Sequence, residues 1–123
     1  MTLTENNITF IQQYYQLVET VEEGFHYVIE SFSNFERTEG DRILGDIFSA
    51  LSMLTNSRVI LQEIGISLEM VEVFDSVIEK VLLLEDHFHN LEQKQKLIEL
   101  ELFPAFVGWK RKVDQALLPF VQN

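Results

Sequence analysis

Cysteine is absent from the 123 residues. That excludes disulfides, thiolate metal ligands and a cysteine nucleophile, and it favours a reducing compartment. Basic side chains are scarce, nine Lys and Arg against twenty Asp and Glu, for a formal net charge of −11. Phosphate backbones require a basic surface, so no nucleic-acid partner is expected. An anionic lipid surface would repel most of the chain as well. No apolar run approaches membrane-spanning length, and the opening "MTLTENNITF" lacks the basic and apolar regions of a signal peptide. The expected location is cytoplasmic, with no membrane contact. Also missing are a glycine-rich phosphate loop, a Gly-x-Ser-x-Gly elbow and paired zinc-ligand spacing. No small-molecule substrate, cofactor or catalytic residue is indicated, and the chain reads as a non-enzyme.

What is present is apolar periodicity in a 46% hydrophobic chain, enough for one core. Ile11, Tyr14, Val18, Val21, Phe25, Val28, Phe32 and Phe35 alternate at intervals of three and four. Such a seam requires a long helix with one inward face. Thr2-Leu3-Thr4-Glu5 resembles a capping box at its start. A second stripe runs Leu44, Ile47, Leu51, Leu54, Arg58, Leu61, with Thr38 and Asp41 as its expected cap and Gly65 as its stop. Arg58 interrupts that stripe and reads as a snorkelling side chain at the bundle margin, with a buried Arg paired with a carboxylate as the alternative.

Ser67 is expected to cap a third helix, with Ile66 and Val71 at the staple positions. Its stripe is Met70, Phe74, Val77, Val81, Leu84, Phe88, Leu91. The fourth stripe, Ile98, Leu102, Phe106, Trp109, Val113, Ala116, Phe120, contains a doubled interval of four and holds Pro104 within it. The helix is therefore expected to kink or break near Pro104. The polar run "EQKQK", residues 92–96, reads as the turn before it, and Asn90 with Gln93 as a cap; one continuous helix from 68 to about 103 is the alternative. Nothing alternates with strand period. The expectation is an all-α, up-down-up-down antiparallel four-helix bundle in one domain, residues 1–123, with helices near 4–35, 39–64, 68–90 and 93–118.

Two acid-x-x-His matches, Glu23/His26 and Asp86/His89, raise the possibility of a ferritin-like metal site. Helical phase argues against it. With Phe25 and Phe88 on the seam, both acid–histidine pairs point to solvent, while Phe, Val, Ile and Leu occupy the inward positions. Turning the helix would expose side chains whose burial stabilises by about 1.5–3 kcal/mol each. No metal ligand is assigned, beyond adventitious surface binding by Glu85 and His89.

Size, acidity and architecture resemble histidine phosphotransfer domains, which present an exposed helical His followed by a Lys and a Gly. The resemblance ends there: His89 is followed by Asn90-Leu91-Glu92-Gln93, and Glu92 would repel a phosphoryl group. Lys110-Arg111-Lys112, the only basic run, reads as a solvated face answering the acidic helices.

The first helix carries more apolar surface than a seam requires: Ile8, Tyr15 and Ile29 at e, Phe10 and Leu17 at g. In an antiparallel bundle that end meets "ALLPFVQN", with Pro119 expected to stop the fourth helix. Phe10, Tyr14, Tyr15, Leu118 and Phe120 are therefore the expected partner-binding residues, unless the C-terminal tail plugs them into a thick core. The expected function is a protein-interaction module, either an adaptor, a small chaperone or a regulatory binding protein, with a protein partner or a second copy as its ligand.

Overall fold

The computed structural model describes residues 4–34, 38–66 and 68–121. Every regular element in it is helical: α1 (Glu5–Ser31), α2 (Gly40–Asn56), α3 (Arg58–Ile64), α4 (Leu68–Asp86), α5 (Leu91–Leu97), a π-helical turn (Ile98–Leu102) and α6 (Phe103–Val121). Two junctions are nearly continuous, so α2–α3 forms one rod and α5–π–α6 another. The result is the expected all-α, four-helix bundle. The helices α1 and α2, α1 and α6, and α4 and α6 pack closely side by side. Cross-links such as Lys110–Glu19, Arg58–Asp75 and Lys80–Glu101 tie the rods in antiparallel register. None of the described helices is long and apolar enough to cross a membrane.

α1 forms where the seam requires it. Thr4 caps it, its side-chain oxygen accepting from the Asn7 N–H at 3.1 Å. Thr2 and Phe35 lie outside the described residues. Ile11, Tyr14, Val18, Val21, Phe25 and Val28 are all buried, and Phe32 is half-buried just past the helix end. The second rod differs from expectation at both its start and its middle. Glu39, not Thr38, precedes α2, with no side-chain cap hydrogen bond, and Asp41 turns to pair with Lys94 at 2.7 Å. At Ser57 the rod is interrupted. The Thr55 and Ser57 hydroxyls donate to the Leu51 and Met53 carbonyls at 2.9 Å, the local back-bonding that weakens a helix ladder. Gly65 ends α3 with φ 92°, a left-handed conformation that side chains disfavour.

The expected cap Ser67 lies outside the described residues, as do the side chains of the staple residue Val71 and of Met70. α4 buries Phe74, Val77 and Leu84 but stops at Asp86. Phe88 and Leu91, expected in its stripe, therefore fall beyond the helix and are exposed. Asn90 caps α5 by accepting from the Gln93 N–H at 3.1 Å. "EQKQK" is thus helix rather than turn; the real turn is 87–90, and there is no single helix from 68 to 103.

The irregularity near Pro104 is a π turn. The Phe103 N–H donates to the Ile98 carbonyl, five residues back. Proline at 104 has no N–H and its ring crowds the preceding turn, so a widened turn directly before it relieves the clash. The extra residue also explains the doubled interval: Ile98, Leu102 and Phe106 stay inward and are fully buried. Pro119 does not stop the helix, which continues to Val121. In the last turn it forfeits a single ladder bond, a smaller loss than in mid-helix. Leu117 takes the deep position expected for Ala116 and Phe120, which are half-buried.

Trp109 is the hub of the core. Its ring centroid lies 4.6 Å from Phe74, 5.7 Å from Phe106 and 6.5 Å from Tyr14, and Phe106 continues to Phe25 at 5.1 Å. One aromatic chain therefore joins α1, α4 and α6. Replacing Trp109 with Ala is expected to destabilise the fold by about 3–5 kcal/mol, with Trp109→Phe costing less. Urea unfolding followed by far-UV circular dichroism checks this. A Trp109→Ala variant as stable as the parent would refute the aromatic hub.

Candidate functional site

The outward side of α1 is flanked by two recesses. The first lies between α1 and α2 and encloses about 530 Å³. Its walls are Leu17 and Val21 from α1 and Ile43, Ile47, Ala50 and Met53 from α2, with Thr20, Glu23, Tyr27, Asp46 and Ser49 around the rim. Gly24 sets its depth. A Cβ there would come within 3.1 Å of Ile47, so the glycine lets the two helices approach and keeps the floor free of a further side chain. Met53 is 59% exposed at one end. The walls are aliphatic, and no lining residue is basic.

The second recess, about 560 Å³, lies between α1 and the end of α6. Gln12, Tyr15, Gln16 and Glu19 line it from α1, and Leu118 and Val121 from α6. At its edge Tyr15, Glu19, Lys110 and Asp114 form a polar cluster. Lys110 is 9% exposed and holds Glu19 at 3.1 Å and Asp114 at 3.2 Å. Burial opposes the charge on both Lys110 and Glu19, but their mutual hydrogen bond and attraction outweigh it. The lysine is held above its usual value and the carboxyl below its own, with Asp114 and Tyr15 adding to the effect. Burial and the hydrogen bond to Glu19 push the Tyr15 phenol up.

This arrangement redistributes the expected binding residues. Tyr14 is 5% exposed and stacks edge-on against Trp109, so it belongs to the core and presents no docking surface. Burial pushes its phenol well above the usual range, an effect that the Arg58 charge partly offsets. Phe10 and Phe120 are half-buried, packed against the core. Tyr15 and Leu118 remain together on the second recess. Lys110 is not a solvated residue; of the basic trio only Arg111 is exposed. Arg58 sits at the bundle margin and pairs with Asp75 at 2.7 Å.

The histidine matches fall as phase demands. Glu23, His26, Asp86 and His89 are exposed, and the His26 ring rests edge-on against Phe103. Among the described residues no three His, Asp or Glu side chains converge in a metal-binding group. Lys94, at the end of the bundle, is buried between Asp41 and the Phe88 ring, its ammonium 4.2 Å from the ring centroid.

The α1–α2 cleft is not legible in the sequence, because much of its lining lies off the a and d seams. Leu17 at g, Gly24 in mid-helix and Ile43, Ala50 and Met53 off the α2 stripe were its signals.

The Glu19–Lys110 pair has a defined pH signature. A carboxyl held below its unfolded value stabilises the fold fully above that unfolded value, and the contribution is lost as pH falls through the folded one. Lys110→Met is expected to cost about 1 kcal/mol at pH 7, since Glu19 is partly solvated. Thermal melts from pH 7 to 3 should show the two proteins converging as the pH falls. A gap that widens toward acid would contradict the pairing.

A relative from Bacillus subtilis (strain 168), described as "Uncharacterized protein YvzG", is 25% identical over 118 residues, covering 94% of each chain. No solved structure matches the chain. The model of the family described as "Domain of unknown function (DUF8042)" matches residues 9–112, which contain the α1–α2 cleft and the α1 wall of the second recess. The chain belongs to that family.

Proposed function

We propose that this protein is a non-enzymatic interaction module that holds a partner protein along the outward side of α1. The supporting observation is the α1–α2 cleft, an aliphatic trough that stays open although the helices on either side are closely packed. Water in such a trough is poorly bonded, and a partner's apolar side chains would release it. The recess holding Tyr15 and Leu118 extends the same face toward the α6 end, so it forms the flank of the docking surface rather than its centre.

A partner seated in the cleft would be sensitive to a charge placed at its apolar edge. Met53→Asp alters an exposed side chain and should preserve helicity while abolishing partner capture from native lysate. Leu100→Asp, on the π turn and 68% exposed, should leave capture unchanged. Quantitative mass spectrometry of the captured proteins reads the outcome. A partner retained by Met53→Asp at parental level would refute the cleft as the docking site.

A further inference from the structure

We propose that the α1–α2 cleft takes a basic amphipathic helix. This rests on the interaction reading above and names the chemistry of the partner. The trough lies between two antiparallel helices and runs from Leu17 to Tyr27 along α1, ten residue steps or about 15 Å at the helical rise. A third helix of about three turns fills that length, its apolar side chains at i, i+3 or i+4 and i+7 entering between Leu17, Ile47 and Met53.

Charge selects the sign of the partner. Glu23 and Asp46 stand on opposite walls and both are exposed. The cation nearest in sequence, Arg42, is already engaged by Glu39 and Asp46. Residues 1–90, which supply the whole cleft, hold 16 acidic and 4 basic side chains, a balance of −12. Lysines or arginines flanking the apolar face of a docked helix would meet carboxylates on both sides. The same field disfavours a second copy, which would set Glu23 and Asp46 against their own equivalents across a twofold axis.

Three fluorescein-labelled peptides of about four turns test the proposal by anisotropy. One has leucines at helical spacing and lysines elsewhere. A second replaces each lysine with glutamate. A third scrambles the first, keeping its charge but removing its face. The first should bind at least about tenfold more tightly than the other two, and weaken with added salt. Met53→Asp should abolish this binding. The double variant Glu23→Gln/Asp46→Asn should weaken it roughly fivefold and flatten its salt dependence. Equal binding of the lysine and glutamate peptides, both lost in Met53→Asp, would overturn the basic partner while leaving the interaction module intact. Equal binding of the scrambled peptide, or binding indifferent to Met53→Asp, would place the peptide elsewhere and overturn the proposal. A concentration-dependent dimer in light scattering, dissolved by Met53→Asp, would identify a second copy as the occupant and overturn it too.

Discussion

Burial of the inward stripe of α1 against α6 and α2 is the constraint from which the other features descend. α1 is held on both sides, so its rotation about its own axis is set by two packing surfaces at once. Phe25 meets Phe103 and Phe106, Tyr14 meets Trp109, and Gly24 meets Ile47 on the other flank. With those contacts made, Thr20 and Glu23 can only face outward, and the recesses form on either side of them. A small rotation of α1 would close one recess, open the other and expose part of the aromatic chain. Dense interiors resist such changes because many small contacts are lost together.

The acidity of the chain acts on top of this frame. Most carboxylates lie outside, where they cost little and repel other acidic surfaces. Four of the nine cations bridge places where rods meet. Lys94 joins α5 to α2 at one end through Asp41, Lys110 joins α6 to α1 through Glu19, Arg58 joins α3 to α4 through Asp75, and Lys80 joins α4 to the π turn through Glu101. Each pair is partly solvated, so each contributes modestly to stability, yet together they favour one antiparallel register over its shifted alternatives. Spending these cations between rods leaves the α1–α2 cleft with acids on its rim and no base in its lining.

How much of this was legible depended on the length of the regular pattern. The α1 seam spans enough turns that the burial of Ile11 through Val28 and the outward placement of Glu23 and His26 followed from spacing alone. The doubled interval at Ile98, Leu102 and Phe106 signalled an irregular turn, although its π geometry was not evident. Short-range signals fared unevenly. Asn90 and Gly65 behave as their chemistry suggests, whereas Thr38 does not cap α2 and Pro119 does not end α6. The polar run 92–96 looked like a turn because it lacks apolar residues. It is helical because Asn90 caps it and Lys94, its one buried member, finds Asp41 across the bundle.

Sequence by itself determined the helical class, the inward stripe of α1 and the outward placement of His26 and His89, because periodicity over many turns leaves a single low-energy rotation for a helix. Tertiary structure alone decided which surplus apolar residues become core and which line a groove. Phe103 packs against the core because Phe25 of α1 offers its ring a contact at 5.4 Å, and Leu17 stayed at an open wall because Gly24 lets α2 come close without filling the space above it. Both outcomes depend on side chains distant in sequence, and a stripe on one helix carries no record of the shape of its neighbour.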